Sequence, residues 1–236
     1  MDDSGRIMLR GDGDDYQLDH VLASLKERGC SILVAGRVPI MTSRAVSHRL
    51  FGHPAERRER ALIRLRQTNS LEKWFPPGVG LDDPRLRIID CVDPGRSVAE
   101  GESGSYECRW SSRFDPVETP ALTRQPDVDA CVDELTQIVE RARPVRPSQL
   151  RVGVFSLAVL TRSVEMVDLV TRVAPPITDN KGMIHFHLQD HPESPAVEAV
   201  MEHVDAKLTV LKDVPGEPIK QKWTIPGYGE TPWLPL

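Results

Sequence analysis

Apolar and polar positions along this chain change period several times, and each change predicts an element. In YQLDHVLASLKERG, Tyr16 to Gly29, Leu18, Val21, Leu22 and Leu25 fall at three- and four-residue intervals. That spacing is one face of a helix, and Gly29 is its stop. SILVAG, Ser31 to Gly36, is a continuous apolar run, the mark of a strand buried on both faces of a parallel sheet. A second helix is expected from about Thr42 to Phe51, closed by Gly52 and Pro54. ALIRLRQT, Ala61 to Thr68, alternates apolar and basic residues, as a strand nearer the sheet edge does. A helical turn at Leu71 to Trp74 stops at Pro76-Pro77, and RLRIIDCV, Arg85 to Val92, is the third strand.

The stretch 93–127 is rich in Gly, Ser and Pro and reads as a long loop or insertion, longer than a compact domain usually carries without purpose. The helical period resumes over Val128 to Arg143, between Asp127 as cap and Pro144 as stop. LRVGVFSL, Leu150 to Leu157, is the fourth strand and runs into a helical region through Val173 that Pro175-Pro176 should end. GMIHFHL, Gly182 to Leu188, is the fifth strand, and a short helix over Pro195 to His203 follows. DAKLTVLKD and PIKQKWTI then form a hairpin turned by Val214 to Glu217. Strands alternating with helices predict an α/β fold of mainly parallel sheet with an antiparallel C-terminal edge. No internal repeat is present, so the expectation is one domain over 1–236, with a polar N-terminal tail (1–15) and a Pro-rich tail (226–236).

Composition narrows the classes. Apolar content of 39% and charged content of 28% belong to a folded globular chain. No apolar run approaches the roughly 18 residues a membrane span needs. The polar start MDDSGRIMLRGDGDD has neither an apolar signal core nor a basic transit pattern, so a cytoplasmic location is expected. A net charge of −5 gives no general case for nucleic acid, and the one basic run, Glu56 to Gln67, has acids interleaved as on a solvated face. Cys30, Cys91, Cys108 and Cys131 are far apart, which argues against a zinc knuckle or a redox dithiol. Cys30 and Cys91 read as small buried residues, and Cys108 as a thiol in a polar loop.

The candidate chemistry begins at ILVAGRVPIMTSRAVSHRL, Ile32 to Leu50: strand, glycine, short loop, amphipathic helix. Ligands of three-layer α/β proteins bind beyond the carboxyl ends of the strands, which is where this loop lies. GRVPIMTS fits the frame of a Walker A loop, G-x-x-x-x-G-K-[ST], with Gly36 first and Ser43 last. Met41 stands for the second glycine and Thr42 for the lysine, while Pro39 removes a backbone donor. An eight-residue frame met at two positions reads by itself as an ordinary strand-to-helix turn.

The order of elements adds a resemblance. Strand, loop and helix, two further strands and then RVGVFSLAVL are similar to the RecA/KaiC branch of P-loop ATPases, whose Walker B strand ends in Asp followed by Ser-Leu. Here Phe155 stands at the Asp position, followed by Ser156-Leu157. GMIHFHL and the closing hairpin resemble the last strands of KaiC-like domains. LKERGCSILVAG, LRVGVFSL, GMIHFHL and QKWTIPG together resemble haloarchaeal RecA/KaiC-like (HTR-like) proteins with a degenerate P-loop, over about residues 16 to 226. The acidity is modest for that group. The resemblance implies a three-layer RecA-like P-loop NTPase fold and self-association through its faces. It also implies a vestigial nucleotide site at Gly36, Arg37, Thr42 and Ser43, with Ser156 after the Walker B-like strand. Asp90 is a candidate replacement carboxylate; on its own pattern it is a polar residue at a strand end. Thr42 cannot neutralise phosphate as lysine does, and Phe155 cannot help hold magnesium, so both departures point the same way, to a pseudo-ATPase.

Three other constellations bear on function. HFHLQDH puts His185 and His187 on one strand face with His191 four residues on, a possible three-histidine metal set with Asp190 behind it. No G-x-S-x-G elbow exists for a serine hydrolase; on pattern alone Ser156 and Ser163 cap or pack a helix. Trp223, Tyr228 and Trp233 lack the basic stripe of a base-stacking platform. The expectation is therefore a non-catalytic regulatory or scaffolding protein that binds a protein partner or its own copies, without nucleic acid, membrane or required cofactor. The alternatives are a nucleotide-binding protein or weak ATPase using loop 36–43, and a metal-dependent enzyme built on His185, His187 and His191.

Overall fold

The computed structural model describes residues 7–11, 15–65, 70–90, 128–142, 149–212 and 218–236. In chain order the elements are β1 (Met8–Arg10), β2 (Asp15–Gln17), α1 (Leu18–Arg28), β3 (Cys30–Ala35), α2 (Ile40–Phe51), β4 (Arg60–Arg64) and β5 (Leu86–Asp90). Then come α3 (Val128–Ala142), β6 (Arg151–Phe155), α4 (Ser163–Thr178), β7 (Met183–Leu188), α5 (Pro195–Met201), β8 (Ala206–Leu211), β9 (Lys220–Ile225), β10 (Gly229–Glu230) and β11 (Leu234–Pro235). The loop read at 93–127, the turn at Val214 to Glu217, Cys91 and Cys108 lie largely or wholly outside the described residues, as does the side chain of Cys131.

One mixed sheet runs β2-β1-β10-β9-β8-β3-β7-β6-β4-β5, with β11 also pairing β9. From β8 to β5 every pairing is parallel. From β8 outward through β9, β10, β1 and β2 every pairing is antiparallel. The fold is thus α/β with a mostly parallel central sheet, as the alternation of periods predicts. β4 lies one strand in from the β5 edge, close to its expected place.

Helices cover both faces. On one, α3, α4 and α5 bury Leu135, Val139, Leu169, Val173, Val197 and Val200 against Leu33, Phe186, Val154 and Ile63 of the strands. On the other, α1 and α2 bury Leu18, Val21, Leu25, Val46 and Leu50 over Ile32, Val34 and Met183. A 3₁₀ segment, Leu71–Trp74, extends that cover across β6, where Trp74, Phe75 and Phe51 meet Phe155 and Leu62.

The ends of the chain depart from expectation. The C-terminal hairpin β8–β9 is present, but it is not the edge of the sheet. The segment read as a polar tail supplies β1, whose Leu9 is fully buried, and β1 joins β10 of the Pro-rich tail. Strands of two or three residues carry too few positions for a period to show, and burial of Leu9 with the Tyr16–Tyr228 edge contact (5.0 Å) decides their pairing. The expected helix from Tyr16 starts at Leu18 because Tyr16 belongs to β2. Pro175 and Pro176 do not end α4, which runs to Thr178. The proline pair removes two helix donors, but Val173, Ala174 and Ile177 stay buried on the sheet, and tertiary packing holds the last turn.

Candidate functional site

The loop after β3 occupies the carboxyl edge of the parallel block, between the ends of β7 and β8. Gly36 opens it with φ of +147°, and a Cβ there would lie 2.1 Å from the carbonyl oxygen of Val210 on β8. Only glycine fits that close approach. Four residues, Gly36 to Pro39, make the connection, and α2 then starts at Ile40, two residues before the expected Thr42. The early start has a visible cause: Thr42 N–H (2.8 Å) and Ser43 N–H (3.3 Å) both donate to the Pro39 carbonyl, closing the first turn. Val38 N–H donates to the Gly36 carbonyl at 3.1 Å.

Around this loop the side chains are fixed from the β7 side. Ser43 is buried, and its Oγ accepts a hydrogen bond from Gln189 Nε2 at 3.3 Å. Thr42, at the lysine position of the Walker A frame, is 3% exposed. Arg37 reaches Asp190 at 3.1 Å. The Asp190 carboxyl is held below the usual range by the Ser194 hydroxyl first, then by His191 N–H and by Arg37. Ile40 and Met41, on the first turn of α2, are 48% and 67% exposed.

Gly36, Arg37, Thr42 and Ser43 are therefore brought to one edge, as the spacing implies. Ser156 directly follows β6, two strands from β3, with a left-handed φ of +67° that costs a non-glycine residue roughly 1–2 kcal/mol. Its carbonyl accepts from Val159 N–H at 2.9 Å, which starts a 3₁₀ turn. Asp90 is not brought to the loop. It ends the edge strand β5, in register with Arg64 and four strands from β3, about 19 Å at strand spacing.

Behind this edge lies a polar cluster whose burial the sequence pattern does not reveal. Ile32, His185, Gly153 and Leu62 lie in register across four strands, and His187 follows His185 on the same face. His185 is 0% and His187 2% exposed. Phe51 meets His185 edge-on at 4.8 Å, Phe155 lies 4.6 Å from His187, and Trp74 lies 4.0 Å from Phe155. Gly153 leaves the space that His185 fills, since a Cβ there would stand 2.9 Å from His185 Nε2 and 2.8 Å from Phe51. The cover is tied down by Ser47 Oγ donating to the Trp74 carbonyl (2.8 Å) and by His48 Nε2 to the Lys73 carbonyl (2.9 Å).

Neither His185 ring nitrogen, nor Nε2 of His187, has a hydrogen-bond partner among the described residues. Burial drives the His187 imidazole down to about 3, and burial followed by the charge of His187 and Arg151 holds His185 well below its ordinary value. Both rings are neutral at neutral pH. His191 is separate from them: it is exposed, and its Nδ1 accepts from Glu193 N–H at 3.3 Å. The three-histidine metal set is thus not assembled, because the strand ends at Leu188 and the chain turns outward before His191. Among the described residues no three His, Cys, Asp or Glu side chains converge as metal donors. Cys30 is buried as expected, and its thiol is pushed up to about 11 by burial first and by Asp205 next.

No helix among the described residues is long and apolar enough to cross a membrane. The sequence matches no curated protein. A family model described as a family of unknown function, DUF7504, matches residues 29–210, which is 182 of the chain's 236 residues. That span contains the parallel block from β3 to all but the last residue of β8 and leaves out β1, β2, α1 and β9 to β11. With the match covering more than half of its length, the chain belongs to the DUF7504 family.

Proposed function

We infer that the protein is a non-catalytic RecA/KaiC-like domain, a pseudo-ATPase that acts as a regulator or scaffold through protein contacts at the carboxyl edge of its parallel strands. One observation carries this reading: three backbone donors of the loop in the phosphate-binding position are used up within the loop itself. Val38, Thr42 and Ser43 N–H are bonded within the loop, and Pro39 has no N–H to give. In a working phosphate loop such donors point at the ligand, with a lysine and a magnesium-holding carboxylate beside them. Here the lysine position is buried Thr42 and the carboxylate position is buried Phe155. The same turn exposes Ile40 and Met41, apolar side chains suited to a protein surface.

Thermal unfolding with ATP or ADP and magnesium tests the non-catalytic half. A ligand at 100 times its dissociation constant stabilises by about 2.7 kcal/mol, so millimolar nucleotide should leave the midpoint unmoved. A clear upward shift would replace this reading by nucleotide binding. Sedimentation over a range of concentrations tests the other half. Self-association that Met41→Glu abolishes, with the unfolding midpoint unchanged, supports contacts at this edge. Equal behaviour of wild type and Met41→Glu, together with no captured partner sensitive to that substitution, rules it out.

A further inference from the structure

At the opposite, amino-terminal end of the parallel strands lies a cleft of about 340 Å³, within the size range of small-molecule sites. Its floor is the first row of the sheet, where Cys30, Met183 and Arg151 stand side by side in register. Its walls are α1, the end of α2 and the segment after it, with Leu22, Leu25, Leu50 and Trp223 giving an apolar lining. Set into that lining are four cations, Lys26, Arg49, Arg58 and Arg151. Among the described residues the lining has one carboxylate, Glu56, which pairs with Arg58 at 2.6 Å.

Several features show a built concavity rather than a gap between helices. Arg60, fully buried beside Arg151 in register, donates to the carbonyls of His53 (3.0 Å) and Arg58 (3.3 Å) and so fixes the segment that forms the rim. Arg151 is 4% exposed and donates Nη1 to the Leu150 carbonyl at 3.0 Å, which holds its guanidinium at the cleft floor. Burial, and next the charge of Arg58, lower it to about 10. It remains a cation at neutral pH. A partly dry cavity with an excess of positive charge attracts a charge of the opposite sign, and its apolar walls favour a ligand body that water does not.

We propose that this cleft binds a small organic anion, an apolar body carrying a single carboxylate or phosphoryl head, with the head at Lys26, Arg49 and Arg151 and the body against Leu22, Leu25 and Trp223. The site lies at the other end of the strands from the loop at Gly36 and does not depend on the reading of that edge. Its recognition is by charge at one end and by exclusion of water at the other.

Titration with anilinonaphthalene sulfonate, followed by quenching of Trp223, tests this. Trp223→Phe identifies the part of the signal that comes from the cleft. Binding should be saturable and one-to-one. Decanoate or decyl phosphate should displace the probe, and the better competitor identifies the head group. Inorganic phosphate and decanol, each lacking one half of the ligand, should fail at the same concentrations. Lys26→Gln combined with Arg49→Gln should weaken binding about tenfold or more, with an unchanged urea midpoint, because both side chains stand at the rim. Met41→Glu, at the other end of the strands, should bind as wild type does. Competition by decanol equal to that by decanoate, undiminished binding in the double variant, or absence of saturation would each overturn the proposal.

Discussion

The two faces of the parallel block are made by the same strands and differ in almost every physical respect. Under α3, α4 and α5 the inward residues are apolar, with Leu33, Phe186, Val154, Ile63 and Ile89 all at most 1% exposed. Under α1, α2 and the 3₁₀ segment, alternate residues of those strands bury Arg60, Arg151, His185 and His187. Close packing alone stabilises the first face. The second carries groups whose desolvation opposes folding, about 1–3 kcal/mol for each buried polar group without a partner. A sheet that keeps such a face does so at the expense of stability. The cleft and the carboxyl-edge loop both open onto that face or its ends, whereas the described residues of the apolar face pack the core.

Truncation at matched sites separates the faces most strongly. Phe155→Ala and Phe186→Ala should each cost about 3–5 kcal/mol in urea unfolding at pH 7.5. They should differ in pH response. Phe155→Ala lets water reach His187 and flattens the acid dependence, while Phe186→Ala leaves it intact. Identical pH profiles for the two variants would erase the distinction.

Acidification comes next in size. The folded values of both histidines lie below the ordinary 6.5, so the unfolded chain takes up protons first and stability falls as pH drops below about 6.5. At about 1.4 kcal/mol per pH unit, His187 should account for about 2 kcal/mol of loss between pH 7.5 and 5, and His185 adds a loss of the same sign. Urea midpoints at half-unit pH steps measure it. His187→Leu, which makes this face more like the other, should make the slope clearly shallower; an unchanged slope would assign the acid sensitivity to other groups.

A smaller effect is expected at Gly153. Its place on β6 is filled by His185 and Phe51, so Gly153→Ala forces both rings to shift and should cost about 1–3 kcal/mol. A neutral or stabilising result would show the cluster to be loosely packed. The smallest effect is at the surface. The Arg37–Asp190 pair is exposed, with Arg37 at 73%, and Arg37→Ala should change the unfolding free energy by less than about 1 kcal/mol. A larger loss would give the carboxyl-edge loop a structural role that the other contacts of Gly36 and Ser43 do not require.

Much of this molecule is legible in its sequence. The apolar run at Ser31 to Gly36, the helical spacing from Leu18 to Leu25 and the closing hairpin each carry their period within a single segment, so element type follows from local pattern. Gly36 and Ser43 likewise meet at the loop the spacing indicates. What the tertiary structure alone decided is of a different kind. Arg60 and Arg151 look like ordinary strand-end cations until parallel register sets them side by side under the α2 rim. His185 and His187 have the alternation of a half-exposed strand; only Phe51, Trp74 and Phe155, from three distant segments, close water out and leave them neutral. Asp90 and His191 keep the right residue types but lie on another strand or beyond a turn. Local periodicity fixes which face a residue takes, while its neighbours, and with them its charge state and chemistry, are set by contacts between segments far apart in the chain.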